Sequence, residues 1–207
     1  GTALYMKGDL TAAVEQFDAV VSAAPADGFD ETAAKAHYSL GVLMATAGRG
    51  AEAIDHLEAA VRFSPTYVEA RQALGDALRR AARPRDALDQ YAALLEIAPQ
   101  SAGARIGSAL ALAELGRFVE ARQRLEAARQ QHPDREDLKL LLARVLAAAA
   151  DAAARDGRRA MQLVDEMLAG PRTVELGETT AMALAETGRY AEAAAVQQQV
   201  MQAAQDA

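Results

Sequence analysis

Gly48-Arg49-Gly50-Ala51-Glu52-Ala53, Gly116-Arg117-Phe118-Val119-Glu120-Ala121 and Gly188-Arg189-Tyr190-Ala191-Glu192-Ala193 repeat one six-residue pattern, and Gly8-Asp9-Leu10-Thr11-Ala12-Ala13 is a weaker copy. Glycine at the first position suits the end of a helix, because it enters a left-handed backbone conformation that other residues resist. A small alanine five positions later lets the next helix approach closely. Each copy therefore reads as helix, tight turn, helix.

Working outward, Pro65, Pro99 and Pro133 follow one another at intervals of 34 residues. Proline cannot continue a helix, so each marks where the second helix of a pair stops. Thr66, Ser101, Asp134 and Thr173 follow these stops, where a side-chain oxygen is expected to cap the free N–H groups of the next helix. Pro25 to Pro65 is 40 residues, six more than the period. A longer loop tipped by Asp27-Gly28-Phe29-Asp30 is expected there, with Phe29 either a contact point for a partner or tucked against its own chain.

A 34-residue helix-turn-helix period resembles the tetratricopeptide repeat family. The repeat beginning at Ala34 carries most of the pattern, in Leu40, Gly41, Met44, Gly48, Ala53, Leu57, Ala60 and Pro65. The next keeps Leu74, Gly75, Leu78, Ala87, Tyr91 and Pro99 but has Ala82 in place of the turn glycine, with Pro84 starting the second helix in compensation. The third keeps Leu112, Gly116, Ala121, Leu125, Ala128 and Pro133, with Ala109 in place of the close-packing glycine. The resemblance implies an all-α, right-handed superhelical α-solenoid of stacked repeats, as a single domain over 1–207. Its parts are a truncated repeat (1–25), regular repeats (34–67, 68–101, 102–135), a repeat lengthened around Asp156-Gly157 (136–173) and a terminal repeat (174–207).

Composition agrees with packed helices. Apolar residues make up 51% of the chain but aromatics only 4%, so alanine and leucine must build the core. A net charge of −7 argues against a protein whose main task is neutralising nucleic-acid phosphates. Cysteine is absent, which removes disulfides, thiol nucleophiles and cysteine-ligated metals; asparagine is absent, which removes N-glycosylation sequons. Charged residues interrupt every apolar run before it is long enough to insert in a membrane. Residues 1–7 lack the order of a signal peptide and begin inside a repeat, as expected of an excised piece. The expected setting is soluble and cytoplasmic, or periplasmic where a signal has been removed.

The search for chemistry returns little. His37, His56 and His132 lie too far apart in sequence for a helical metal pair, so no metal site is expected, and His37 reads as a packing residue. There is no Gly-x-Ser-x-Gly elbow, phosphate-binding glycine loop or dinucleotide fingerprint, so no catalytic residues and no cofactor are assigned. Glu175 and Glu178 stand a helical turn apart and read as solvated charges.

In this family the first helix of each pair lines the concave side of the stack. The resemblance implies a peptide-binding groove formed by Tyr5, Lys35, Tyr38, Val42, Gln72, Asp76, Arg79, Ile106, Leu110, Leu140, Arg144, Glu178 and Met182. These mix apolar with charged types, as peptide recognition requires, although Leu110 and Leu140 also fit as core between repeats. Arg79, Arg80, Arg83 and Arg85 cluster at one turn, either to receive an acidic peptide or to complement a helix dipole. No asparagine and no matching lysine pair is present for the clamp by which some family members grip chaperone tails. The expected function is a protein-interaction scaffold that binds a peptide or helix of another polypeptide. Alternatives are a substrate-recruiting or regulatory domain of a larger enzyme, and a self-association module that dimerises through an apolar face with Leu4, Val14 and Phe17.

Overall fold

The computed structural model describes residues 10–23 and 30–205, and among them every regular element is helical. In chain order the α-helices are α1 (Leu10–Ala23), α2 (Glu31–Thr46), α3 (Gly50–Phe63), α4 (Val68–Arg80), α5 (Pro84–Ile97), α6 (Ala102–Glu114), α7 (Phe118–Gln131), α8 (Glu136–Ala148), α9 (Gly157–Met167), α10 (Val174–Glu186) and α11 (Tyr190–Gln205). A 3-10 turn, Ala152–Ala154, lies between α8 and α9. Tyr5, Leu4, the Gly8 turn and Phe29 lie outside the described residues.

The glycine turns do what their chemistry suggests. Gly48, Gly116 and Gly188 have φ of 75°, 74° and 79°. At each, the next N–H reaches back to close the helix: Arg49 N to Met44 O (2.8 Å), Arg117 N to Leu112 O (2.9 Å) and Arg189 N to Leu184 O (2.9 Å). Ala82 adopts the same turn at φ 57°, with Arg83 N donating to Leu78 O at 2.9 Å. The arginine after each turn then pairs with the acid three positions on, as Arg49–Glu52, Arg83–Asp86, Arg117–Glu120 and Arg189–Glu192. These pairs are half exposed, so they set the local geometry more than they stabilise it.

Two of the four expected caps form. Ser101 Oγ accepts from Ala104 N (3.2 Å) and Thr173 Oγ1 from Leu176 N (3.2 Å). Thr66 and Asp134 do not cap, because the cap position falls two residues after the proline, on Tyr67 and Arg135. Arg71 and Arg105 also donate back to the carbonyls of Pro65 (2.6 Å) and Pro99 (2.7 Å). Three further caps form on Asp30, which accepts from Thr32 N and Ala33 N, Asp151, which accepts from Ala153 N, and Asp156, which accepts from Arg159 N. Gly157 is therefore the first residue of α9, and residues 149–156 carry the lengthening.

Contacts gather the chain into two compact units, 1–107 and 108–207. In the first, α2 pairs with α3 and α4 with α5, while α4 also packs on both α3 and α2. Ala53, Leu40, Leu57 and Leu74 are buried there, each leucine contributing about 1.5–3 kcal/mol of apolar transfer. Phe17, expected on an exposed face, is 9% exposed and packs into the cluster of Leu40, Leu43 and Met44, because α1 covers α2. In the second unit α8 packs on α7, α9 and α10, and α10 pairs with α11. Ala121, Leu125, Leu138, Leu142, Leu146 and Leu163 form its interior.

Candidate peptide-binding faces

The first helices carry their expected groove residues at intermediate depth. Tyr38, Val42, Gln72, Asp76, Arg79, Ile106, Leu110, Leu140, Arg144, Glu178 and Met182 are all half-buried, and Lys35 is exposed.

In the first unit the polar members are engaged with one another. Tyr91 on α5 is fully buried, and its hydroxyl donates to Asp76 Oδ1 at 2.6 Å. Gln72 Nε2 donates to both Asp76 oxygens at 3.2 Å. Burial and this bond to Asp76 push the Tyr91 phenol far above its ordinary value, with Arg79 acting in the opposite sense. Asp76 and Arg79 thus help hold α4 to α5, a role that spacing alone did not reveal. The ring of Tyr91 fits because Gly75 and Gly107 face it: a Cβ at either would stand 2.6 or 2.3 Å from a ring atom. Tyr38 packs on Tyr67 with centroids 5.2 Å apart, and Lys35 pairs with Glu31 at 3.5 Å beside a polar cleft of about 420 Å³ that Tyr67 and Glu69 also line. The arginine cluster does not act as a set: Arg83 is paired to Asp86 at 2.6 Å, while Arg80 and Arg85 are exposed.

His37 on α2 and His56 on α3 meet, Nδ1 to Nδ1 at 3.1 Å, so that one ring donates to the other. His37 also stacks on Phe63 at 5.5 Å. Burial, then His56 and Arg62, lower the His37 pKa from its ordinary 6.5, against a smaller pull from Asp18. Nineteen residues separate the pair in sequence, and only the fold of one helix onto the next shows it. No group of three or more potential metal ligands occurs among the described residues.

In the second unit, Leu110, Arg144 and Met182 come together. They line an apolar cleft of about 360 Å³ with Ala113, Phe118, Leu141 and Val145. On α8 the face turned to the cleft is Leu141, Arg144, Val145 and Ala148, a helical i, i+3, i+4, i+7 stripe. That stripe was readable in the sequence, and it selects Leu141 as the lining residue beside Arg144. Leu140, Glu178 and Ile106 are not among the residues lining this cleft.

Helix pairs closed by left-handed turns, with α4 packed on the pair before it and α8 packed on α7 and α10, define an all-α repeat protein of the solenoid class. Two tetratricopeptide repeat profiles match the sequence, over residues 1–68 and 78–145, and the chain belongs to the tetratricopeptide repeat family. No curated protein matches the sequence closely enough to count as a relative. Among solved structures, Pseudomonas aeruginosa pilF is similar at 15% identity with a TM-score of 0.74, covering 97% of this chain and 87% of that one. A tetratricopeptide repeat protein from Parabacteroides merdae aligns at 16% identity and TM-score 0.70, over 97% of this chain and 75% of its own. YrrB, a tetratricopeptide protein with an unusual peptide-binding site, aligns at 20% identity and TM-score 0.65, over 95% and 88%. At these identities the likeness is one of fold. The fold is that of a protein–protein interaction scaffold, in a family that is typically non-catalytic. No helix among the described residues is long and apolar enough to cross a membrane.

Proposed function

We propose that this protein is a scaffold that holds a peptide or a helix of another polypeptide against its first helices. The observation that carries the reading is the cleft at α6, α8 and α10, where Leu110, Arg144 and Met182 combine apolar surface with one cation. Such a mixture buries ligand side chains while a polar group fixes register. The peptide-binding site of YrrB, a protein of similar fold, supports the reading by analogy.

The test is resonance mapping with a peptide selected from a displayed library. Chemical-shift changes are expected along α6, α8 and α10, around the cleft. Charge reversals on the second helices, Glu58→Arg and Arg124→Glu, should leave the affinity within about twofold. Shift changes confined to α3, α5 or α7, with binding abolished by those reversals, would place the working surface on the second helices.

A further inference from the structure

Half-buried cations in the second unit are matched to an acceptor. Arg122 pairs with Glu126, Arg129 with Glu166 and Lys139 with Glu136, each at 2.9 Å, and Arg155 pairs with Glu186 at 3.1 Å. Arg159 donates to Gln162 at 2.9 Å. Arg144 differs: among the described residues it has no hydrogen-bond or ion-pair partner, and no carboxylate lines its cleft. A guanidinium held against apolar walls loses part of its hydration without a compensating charge, so the site favours an incoming anion.

The shape of the cleft narrows the choice. At about 360 Å³ it has room for one bulky side chain and the peptide unit beside it. Its walls, Leu110, Phe118, Leu141, Val145 and the flexible Met182, suit an aliphatic or aromatic group. A single guanidinium offers one two-pronged fork, which satisfies one carboxylate, whereas the third oxygen of a phosphoryl group would be left against apolar surface. The half-buried Leu110, Leu141, Arg144, Val145 and Met182 all reach solvent at the cleft, which suits a side chain entering from a peptide that continues past it.

We infer that this cleft takes a Leu, Met or Phe side chain whose neighbour in the peptide is Asp or Glu, with the acidic side chain paired to Arg144. The inference rests on the scaffold reading and narrows it to an acidic-apolar anchor.

Fluorescein-labelled peptides, acetylated and amidated at their ends and differing only in a central Leu-Glu, Leu-Gln, Leu-Lys or Ala-Glu pair, test it by anisotropy with the full chain. Leu-Glu should bind tightest, with Leu-Gln and Ala-Glu each about tenfold weaker, or about 1.4 kcal/mol. Arg144→Gln should bring Leu-Glu down to the level of Leu-Gln while leaving Leu-Gln unchanged, and Arg144→Lys should keep part of the preference. Equal binding of Leu-Glu and Leu-Gln to the unaltered protein overturns the inference whether or not the variants fold. So does tighter binding of a Leu-phosphoserine peptide, or of one with a free C-terminal carboxylate in place of the glutamate. Absence of Leu-Glu binding at about millimolar concentration also overturns it and leaves the scaffold reading to its own mapping. Binding to the first helices without acid preference defeats this inference alone; binding to the second helices defeats the scaffold reading.

Discussion

Ala82 occupies, at φ 57°, a turn position that three other turns fill with glycine. A left-handed alanine costs roughly 1–2 kcal/mol, set against the greater backbone entropy that glycine loses on folding. At Gly48, Gly116 and Gly188 an added Cβ would meet nothing within 4 Å, so the cost of alanine in this turn is conformational and not steric. Ala82→Gly should therefore raise stability by about 0.5–1 kcal/mol, and Gly116→Ala should lower it by about the same amount, both read from urea midpoints. If both variants shift the midpoint in the same direction, the turns are not equivalent. Gly107 is the contrasting case. Its Cβ would stand 2.3 Å from Tyr91 Cζ, and the backbone of Gly75 also approaches the ring so closely that a Cβ there would stand 2.6 Å from Cε1. Gly107→Ala should cost about 1–3 kcal/mol by overpacking, and an unchanged midpoint would show that the ring has room to turn.

Between elements, the contact of α2 with α3 through His37 and His56 makes stability depend on pH. The folded state holds His37 below 6.5, so as pH falls through 6.5 the unfolded chain takes up the proton first. The contribution of His37 is complete well above that value and declines beneath it. Asp18, His56 and Arg62 face His37, and of these only Asp18 favours its charged form. The paired acids Glu52, Glu120 and Glu192 have lowered pKa values, so their contributions fade only as pH falls through 4.5. Urea midpoints should therefore drop between about pH 7.5 and pH 5.2, and His37→Phe, which keeps the stack on Phe63, should flatten that drop. Equal slopes for the two proteins would assign the pH dependence elsewhere.

The same pair shows how far sequence reading reaches at this scale. Turns and helix ends follow from neighbours in the chain, so Gly48, Gly116 and Gly188 announced themselves. Thr66 and Asp134 misled because the cap depends on a one-residue difference in where the chain turns after proline. Contacts between helices depend on which way each stripe faces. The bonding of Asp76 to Tyr91 and the meeting of His37 with His56 therefore appear only when the helices are packed. The cleft lies between these cases: its α8 stripe is periodic in sequence, but Phe118 joins it from a second helix.

Across the whole molecule, a stack of repeats distributes stability by how well each helix is covered by its neighbours. Helix α8 buries Leu138, Leu142, Ala143, Leu146 and Ala147. In α11 only Ala193 is buried among the described residues, while Tyr190 and Met201 are 71% and 56% exposed. The attachment of α11 to α10 rests on a few side chains, of which Val200 sits over Gly177 so closely that a Cβ there would meet it at 2.4 Å. With so little apolar surface removed from water, α11 opens at a lower free energy than the helices inside the unit. Hydrogen exchange read by mass spectrometry should therefore show α11 amides exchanging first, ahead of α10 and well ahead of α8. Gly177→Val, by pushing Val200 off its seat, should accelerate exchange in α11 while leaving α8 unchanged. Protection in α11 equal to that in α8 would mean that α11 opens only together with the whole unit, so that burial does not set the order in which its helices open.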